Sequence, residues 1–219
     1  MRHTVLVFIA ALLAACAPAS PAVTPRLLNV YVTSAAYPRV SDLYTCAPPS
    51  IVISLSSPAS ADLTIRLGEP VPLTVPAFQI GAEDILVVVH PQAGVGSLTL
   101  VQVQQLFSGR ISSWKQVGGN DVAVQVWTFS SDEDVQQVFE RLVMNGQPVT
   151  SLARLATSSP FMSDSVGNTP GSIGYLPRRW KTGNTSEALK AATVPVLVLA
   201  RSQPEGPVRQ LVSCLQSAK

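Results

Sequence analysis

The sequence predicts an α/β fold. Two observations carry this: short β-branched apolar runs of strand length recur along the chain, and segments of helical periodicity lie between them. The strand-like runs are LLNVYV (Leu27–Val32), IVISL (Ile51–Leu55), ADLTIRL (Ala61–Leu67), DILVVVHP (Asp84–Pro91), VAVQVW (Val122–Trp127), GSIGYLP (Gly171–Pro177) and VPVLVLA (Val194–Ala200). DILVVVHP is almost continuously apolar, as a strand buried on both faces must be. Between them, RVSDLYTC reads as a short helix. SLTLVQVQQLFSG reads as another, with Ser97 or Thr99 as its cap, Leu100, Val103, Gln104 and Phe107 on one face, and Gly109 to end it. A helix from Ser131 places Val135, Val138, Phe139 and Leu142 together. SEALKAA (Ser186–Ala192) reads as a short helix, and Pro207–Ser217 as a last one with Val208, Leu211, Val212 and Leu215 inward.

The first residues are not part of that pattern. MRHTVLVFIAALLAAC has one basic residue, Arg2, an apolar run from Thr4 to Ala15, and then Cys16. The run is too short for a permanent span and fits a secretory signal over residues 1–15. Its ending, Leu13-Ala14-Ala15-Cys16, resembles the bacterial lipobox, in which the cysteine becomes the acylated N-terminus. Residues 16–26, rich in Pro, Ala and Ser, then read as the lipidated cysteine and a tether. The expected location is therefore outside the cell membrane, anchored to it by lipid and facing the periplasm or exterior.

Composition narrows the chemistry. Charged residues are 13% of the chain and the net charge is +2, with no basic run, which argues against a nucleic-acid partner. Of the two histidines, His3 lies in the signal segment, so His90 alone remains. A histidine-based catalytic triad or His-rich metal site is thereby excluded, and no cofactor or metal is expected. Two cysteines, Cys46 and Cys214, accompany Cys16. In an exported protein they suggest one disulfide, with two buried free thiols as the alternative.

The stretch WTFSSDEDVQQVFERL (Trp127–Leu142) joins a strand to a helix, a junction that commonly presents backbone N–H groups to an anion. Here the first helical turn carries Asp132, Glu133 and Asp134. Ser130 or Ser131 can serve as the N-cap with Glu133 or Asp134 reaching back as a capping box. Negative side chains also suit this end of the helix dipole. Consecutive carboxylates at a helix start are poor candidates for an opposed acid and base, so an enzyme is not expected.

The segment LTLVQVQQLFSGRISSWKQVGGND (Leu98–Asp121), with Phe107, Ser108, Gly109, Trp114, Gly118 and Gly119, resembles a signature of the periplasmic substrate-binding proteins of phosphate ABC transporters. ILVVVHP before it and NTPGSIGYLP (Asn168–Pro177) after it extend the likeness over most of the chain from Leu27. The resemblance implies a type II periplasmic-binding-protein fold: two α/β lobes joined by crossover strands and closing on a ligand. Carried over, lobe one is residues 27–86 plus 191–219 and lobe two is residues 87–190. That assignment brings Cys46 and Cys214 onto one lobe and so favours the disulfide. Phe107 and Trp114 are expected under the sheet of lobe two.

The family's phosphate loops are poorly matched. Thr33, Ser34, Ala35 and Ala36 stand at its Gly-Ser-Ser-Thr loop, so Ser34 alone keeps its type. SSPAS is too short for the family's second loop and helix, and Asp62, aligned with the phosphate-accepting Asp, reads better as a turn residue beside its strand. At the third loop Phe129 stands at the Arg position, Glu133 at the Ser, Asp134 at the Gly and Val135 at the Thr. The ligand-cleft candidates are Thr33, Ser34, Asp62, Ser130, Ser131, Asp132 and Glu133. The resemblance implies a non-enzymatic solute-binding lipoprotein, with an ABC permease and a small solute as partners, that is not expected to bind free phosphate. The alternative is an interaction or sensory lipoprotein that keeps the scaffold without transport.

Overall fold

The computed structural model describes residues 24–218; the expected signal segment, Cys16 and the tether as far as residue 23 lie outside the described residues. Eight strands form one mixed sheet: β1 (Arg26–Val32), β2 (Ile51–Leu55), β3 (Leu63–Leu67), β4 (Ala77–Val89), β5 (Gln125–Thr128), β6 (Arg154–Leu155), β7 (Ser172–Pro177) and β8 (Ser186–Ala200). Their order is β2-β1-β3-β8-β4-β7-β5-β6. Five α-helices accompany them among the described residues: α1 (Val40–Cys46), α2 (Leu100–Phe107), α3 (Asp134–Leu142), α4 (Ser159–Asn168) and α5 (Gly206–Ser217).

The architecture turns on β4 and β8, two long antiparallel strands. The β1–β3 side pairs with the end of β8, Leu63–Leu67 lying opposite Ala200–Val196. The β5–β7 side pairs with the end of β4, Ile85–Val89 lying opposite Pro177–Ile173. Each long strand thus begins in one half of the molecule and ends in the other. Register shifts at Gln79/Gly81, Ile85/Leu86 and Val87/Val88 bend the pair where it passes between the halves. Outside β4 and β8 the pairings are parallel within each half, β1 with β2 and β3, and β5 with β6 and β7.

Several elements differ from the sequence reading. SEALKAA is not a helix but the first half of β8. Its Ala, Leu, Lys and Glu favour helix intrinsically, but pairing with β4 overrides that preference: Ala188 is buried, while Glu187 and Lys190 point outward to Arg178 and Asp84. β4 starts at Ala77, seven residues ahead of the apolar run, again because β8 is there to pair with it. Of VAVQVW only the second half is strand; Ala123 makes a single bridge to Ser113. α3 starts at Asp134 rather than Ser131, and Leu142, expected inward, is exposed, as is Leu100 on α2. β6 and α4 had no signal.

The expected caps and core are otherwise recognisable. Thr99 caps α2 in a reciprocal box with Gln102, and Gly109 follows with a φ of 77°, a left-handed conformation that glycine adopts without cost. Val208, Leu211, Val212 and Leu215 of α5 are buried. Phe107, Phe139, Phe129 and Tyr175 form one aromatic cluster, with Phe139 stacked on Tyr175 at 3.6 Å between ring centroids. Trp114 is fully buried and its indole N–H donates to Gly171 O at 2.8 Å. Cys46 on α1 and Cys214 on α5 are joined by a disulfide, their Cα atoms 5.6 Å apart.

Candidate functional site: the cleft between the two halves

The C-terminal ends of β1 and β3 face the N-terminus of α3 across the junction of the halves. β1 delivers Thr33 and Ser34, and β3 delivers the Leu67 amide and Gly68. Gly68 has a φ of 64°, and a Cβ built on it would stand 2.5 Å from Val138 Cγ2. Any other residue would both strain this turn and push α3 away. The backbone therefore lets the helix approach to contact.

Asp134 sits at the centre of that contact. Its Oδ2 accepts from the Thr33 hydroxyl at 2.7 Å and from the Leu67 N–H at 2.7 Å. Ser34 Oγ donates to Glu133 Oε2, also at 2.7 Å. Around these, Arg66 Nη2 donates to Gln137 Oε1 at 3.0 Å, Arg141 Nη1 to Glu69 O at 3.0 Å, and the Trp180 indole N–H to Ala35 O at 3.0 Å. All six bonds cross from one half to the other. Asp134 is 2% exposed and its Oδ1 has no hydrogen-bond partner.

Burial pushes the Asp134 carboxyl above its ordinary range, against the pull of the Leu67 N–H, the Thr33 hydroxyl, Arg66 and the Val135 N–H. Burial likewise raises Glu133, opposed by Ser34 and reinforced by Asp134 and Asp132. Asp132 is exposed and held below its ordinary range by the Ser130 hydroxyl and its own backbone N–H.

The site thus gathers Thr33, Ser34 and Glu133 but not the other candidates. Ser130 and Ser131 are exposed and make no bond across the cleft; Ser131 O accepts from Gln137 Nε2 at 3.2 Å. Neither serine caps α3. The N-cap is Glu133, with no side-chain cap bond, because both carboxylates are engaged across the cleft instead. Asp62 is elsewhere, at the opposite end of β3 from Leu67. Its Oδ2 accepts from Asn29 N at 3.0 Å, fastening the turn to β1, and five residues of strand separate it from the cleft by about 16 Å. Leu67, Arg66, Arg141 and Trp180 carry no sequence signal for the cleft, whereas Asp134 belongs to the acidic turn that the resemblance places there. A backbone donor such as Leu67 leaves no trace in sequence, and Asp134 read as a cap.

Other expected features have structural explanations. Phe129, at the Arg position of the resemblance, is 2% exposed and packs on Tyr175 at 5.5 Å, so no cation could be reached from that backbone position without emptying the core. The sole described histidine, His90, accepts from Gln92 N through Nδ1 at 3.0 Å in a turn. Among the described residues no group of three or more His, Cys, Asp or Glu side chains could hold a metal ion. The connection from β2 to β3, residues 56–62, contains no helix.

A two-half α/β molecule with crossover strands and a polar junction at strand ends and a helix N-terminus is the architecture of a binding protein that closes over its site. The comparisons give the family. Residues 74–209, more than half of the chain, match the model of the PBP superfamily domain, and the chain belongs to that superfamily. It is similar to the phosphate-binding protein PstS of Bacillus subtilis (strain 168), at 26% identity over 112 residues, 51% of this chain and 37% of the relative. The chain thus spans little more than a third of that relative's length in the match.

In structure it is similar to a Clostridium perfringens protein solved with bound phosphate and assigned to the substrate-binding proteins of phosphate ABC transporters. That match has a TM-score of 0.75 at 15% identity, covering 87% of this chain and 93% of the other. It is also similar to the OxyR2 regulatory domain of Vibrio vulnificus, with a TM-score of 0.61 at 10% identity over 90% of this chain and 100% of the other. The fold is therefore the mixed α/β fold of type II periplasmic binding proteins and of LysR-family regulatory domains. The transport relatives are named for binding and carriage, not for catalysis.

Proposed function

We propose that this protein is an exported, lipid-tethered, non-enzymatic member of the superfamily that keeps the binding-protein scaffold but does not take up free phosphate. Its lobes would be residues 27–86 plus 191–219 and residues 87–190, anchored through Cys16 and the tether. The observation that carries the reading is the double engagement of Asp134. A carboxylate bonded to Thr33 and Leu67 of one half, at the helix N-terminus of the other, stands where an incoming oxyanion would need the same donors. A phosphate dianion would also meet Asp132 and Glu133 as like charges.

Two uses of such a scaffold were expected: delivery of another small solute to an ABC permease, and interaction or sensing without transport. Six direct bonds between the halves, made by the protein's own groups, favour the second. The occurrence of this fold in a regulatory domain is consistent with it.

The test has two arms. Calorimetric titration of the delipidated domain with phosphate should give no saturable heat at micromolar concentrations; a micromolar isotherm would restore phosphate capture as the function. Cys16→Ser should release the full chain from the membrane fraction or block its processing, and unchanged behaviour would remove the anchor from the proposal.

A further inference from the structure

Asp134 is an unusual helix-start carboxylate. Side chains at this position ordinarily satisfy their own helix's orphan N–H groups or face water. Asp134 turns Oδ2 to two donors from the other half of the molecule, and its Oδ1 is buried with no hydrogen-bond partner. A buried acceptor without a partner is what one expects of a group chosen for where it sits rather than for completing its own bonds. The donors are arranged as they would be for a ligand: a hydroxyl from β1, an amide from the end of β3, and the N-terminus of the nine-residue α3 behind them.

Resting on the reading that the cleft is self-occupied, we propose that these groups form a socket for a small carboxylate, and that Asp134 is its resident, covalently attached occupant, holding the two halves closed in place of a solute. The socket's size is set by the group that fills it, a carboxyl on a residue that is 2% exposed. Truncating Asp134 at Cβ would vacate only the volume of one carboxyl group. A planar formate ion matches that space and can accept from Thr33 and Leu67 together. A tetrahedral phosphate is larger and would meet the Glu133 carboxylate, which Ser34 holds alongside.

The experiment is chemical rescue. Asp134→Ala should lower the melting temperature of the domain by on the order of 5 °C, and sodium formate should restore much of that loss saturably, whereas equal sodium chloride or phosphate should not. The wild-type protein and Asp134→Asn, whose sockets stay filled, should show no formate response. If Asp134→Ala does not fold alone, refolding in formate and in chloride is compared by circular dichroism. Recovery in formate only supports the socket, and equal outcomes in the two salts overturn it. A folded Asp134→Ala that melts with the wild type, or ignores formate, overturns it as well. These failures would leave the phosphate reading standing, since that falls only if the wild-type protein binds phosphate.

Discussion

Three consecutive acids, Asp132, Glu133 and Asp134, have three different fates within one helical turn. Asp132 stays in solvent beside Ser130, Glu133 is half-buried against Ser34, and Asp134 is enclosed between Thr33, Leu67 and the helix end. Because burial raises Asp134 and Glu133 above their ordinary range, ionising either carboxyl costs more in the folded state than in the unfolded chain. Linkage fixes the sign: this contribution to stability is fully present below the unfolded carboxylate pKa of about 4 and is lost as pH rises through the folded value. The charged and titratable groups facing Asp134 are Arg66, Glu133, Asp132 and Tyr31, with Arg141 further along α3. Asp134→Asn also removes the push of Asp134 on Glu133, which has the same sign, so the difference from the wild type reports Asp134 together with that coupling. The wild-type advantage in melting temperature over Asp134→Asn should be largest near pH 4 and shrink toward neutrality. An advantage that grows with pH would contradict the burial argument.

At the scale of elements, the sequence was legible wherever one face alone decides. α5 and α2 are legible because apolar residues recur at helical spacing, β4 from Asp84 because both faces are apolar, and β7 as a short strand between glycines. The first half of β8, Ser186–Ala192, has helix-forming composition, and only its long-range partner Asp84–Val89 makes it a strand. β6 is two residues long and α4 carries Ser, Gly and Asn, so neither has a periodic signal. The site was half legible for the same kind of reason. Hydroxyls and acids announce themselves, so Thr33, Ser34 and Glu133 could be named. Which of them meet depends on the register of β1 and β3 against α3. That register buries Asp134 rather than Asp132, brings in an amide from Leu67, and leaves Ser130, Ser131 and Asp62 outside. Cys46 and Cys214 could be paired once the resemblance brought both segments to one lobe, where α1 meets α5.

For the whole molecule, the account is that two halves joined by β4 and β8 are held shut by their own side chains. The disulfide stiffens one half internally but does not span the cleft, and the ion pairs of Arg178 with Asp84 and Glu187 and of Arg179 with Glu83 brace the crossover strands and are no part of the latch. Closure therefore rests on the six bonds at the junction, with Asp134 at their centre. The most direct measurement is amide hydrogen exchange at Leu67 in the ligand-free domain, read by NMR. The Leu67 N–H donates across the cleft to Asp134 Oδ2, whereas the Thr33 N–H donates within its own half to Ile65 O and serves as the internal reference. Leu67 should be protected to a degree comparable with Thr33 in the wild type. In Asp134→Ala it should lose that protection selectively, while Thr33 keeps its own. Rapid exchange at Leu67 in the wild-type protein, with Thr33 protected, would mean that the cleft stands open in solution and would contradict the account.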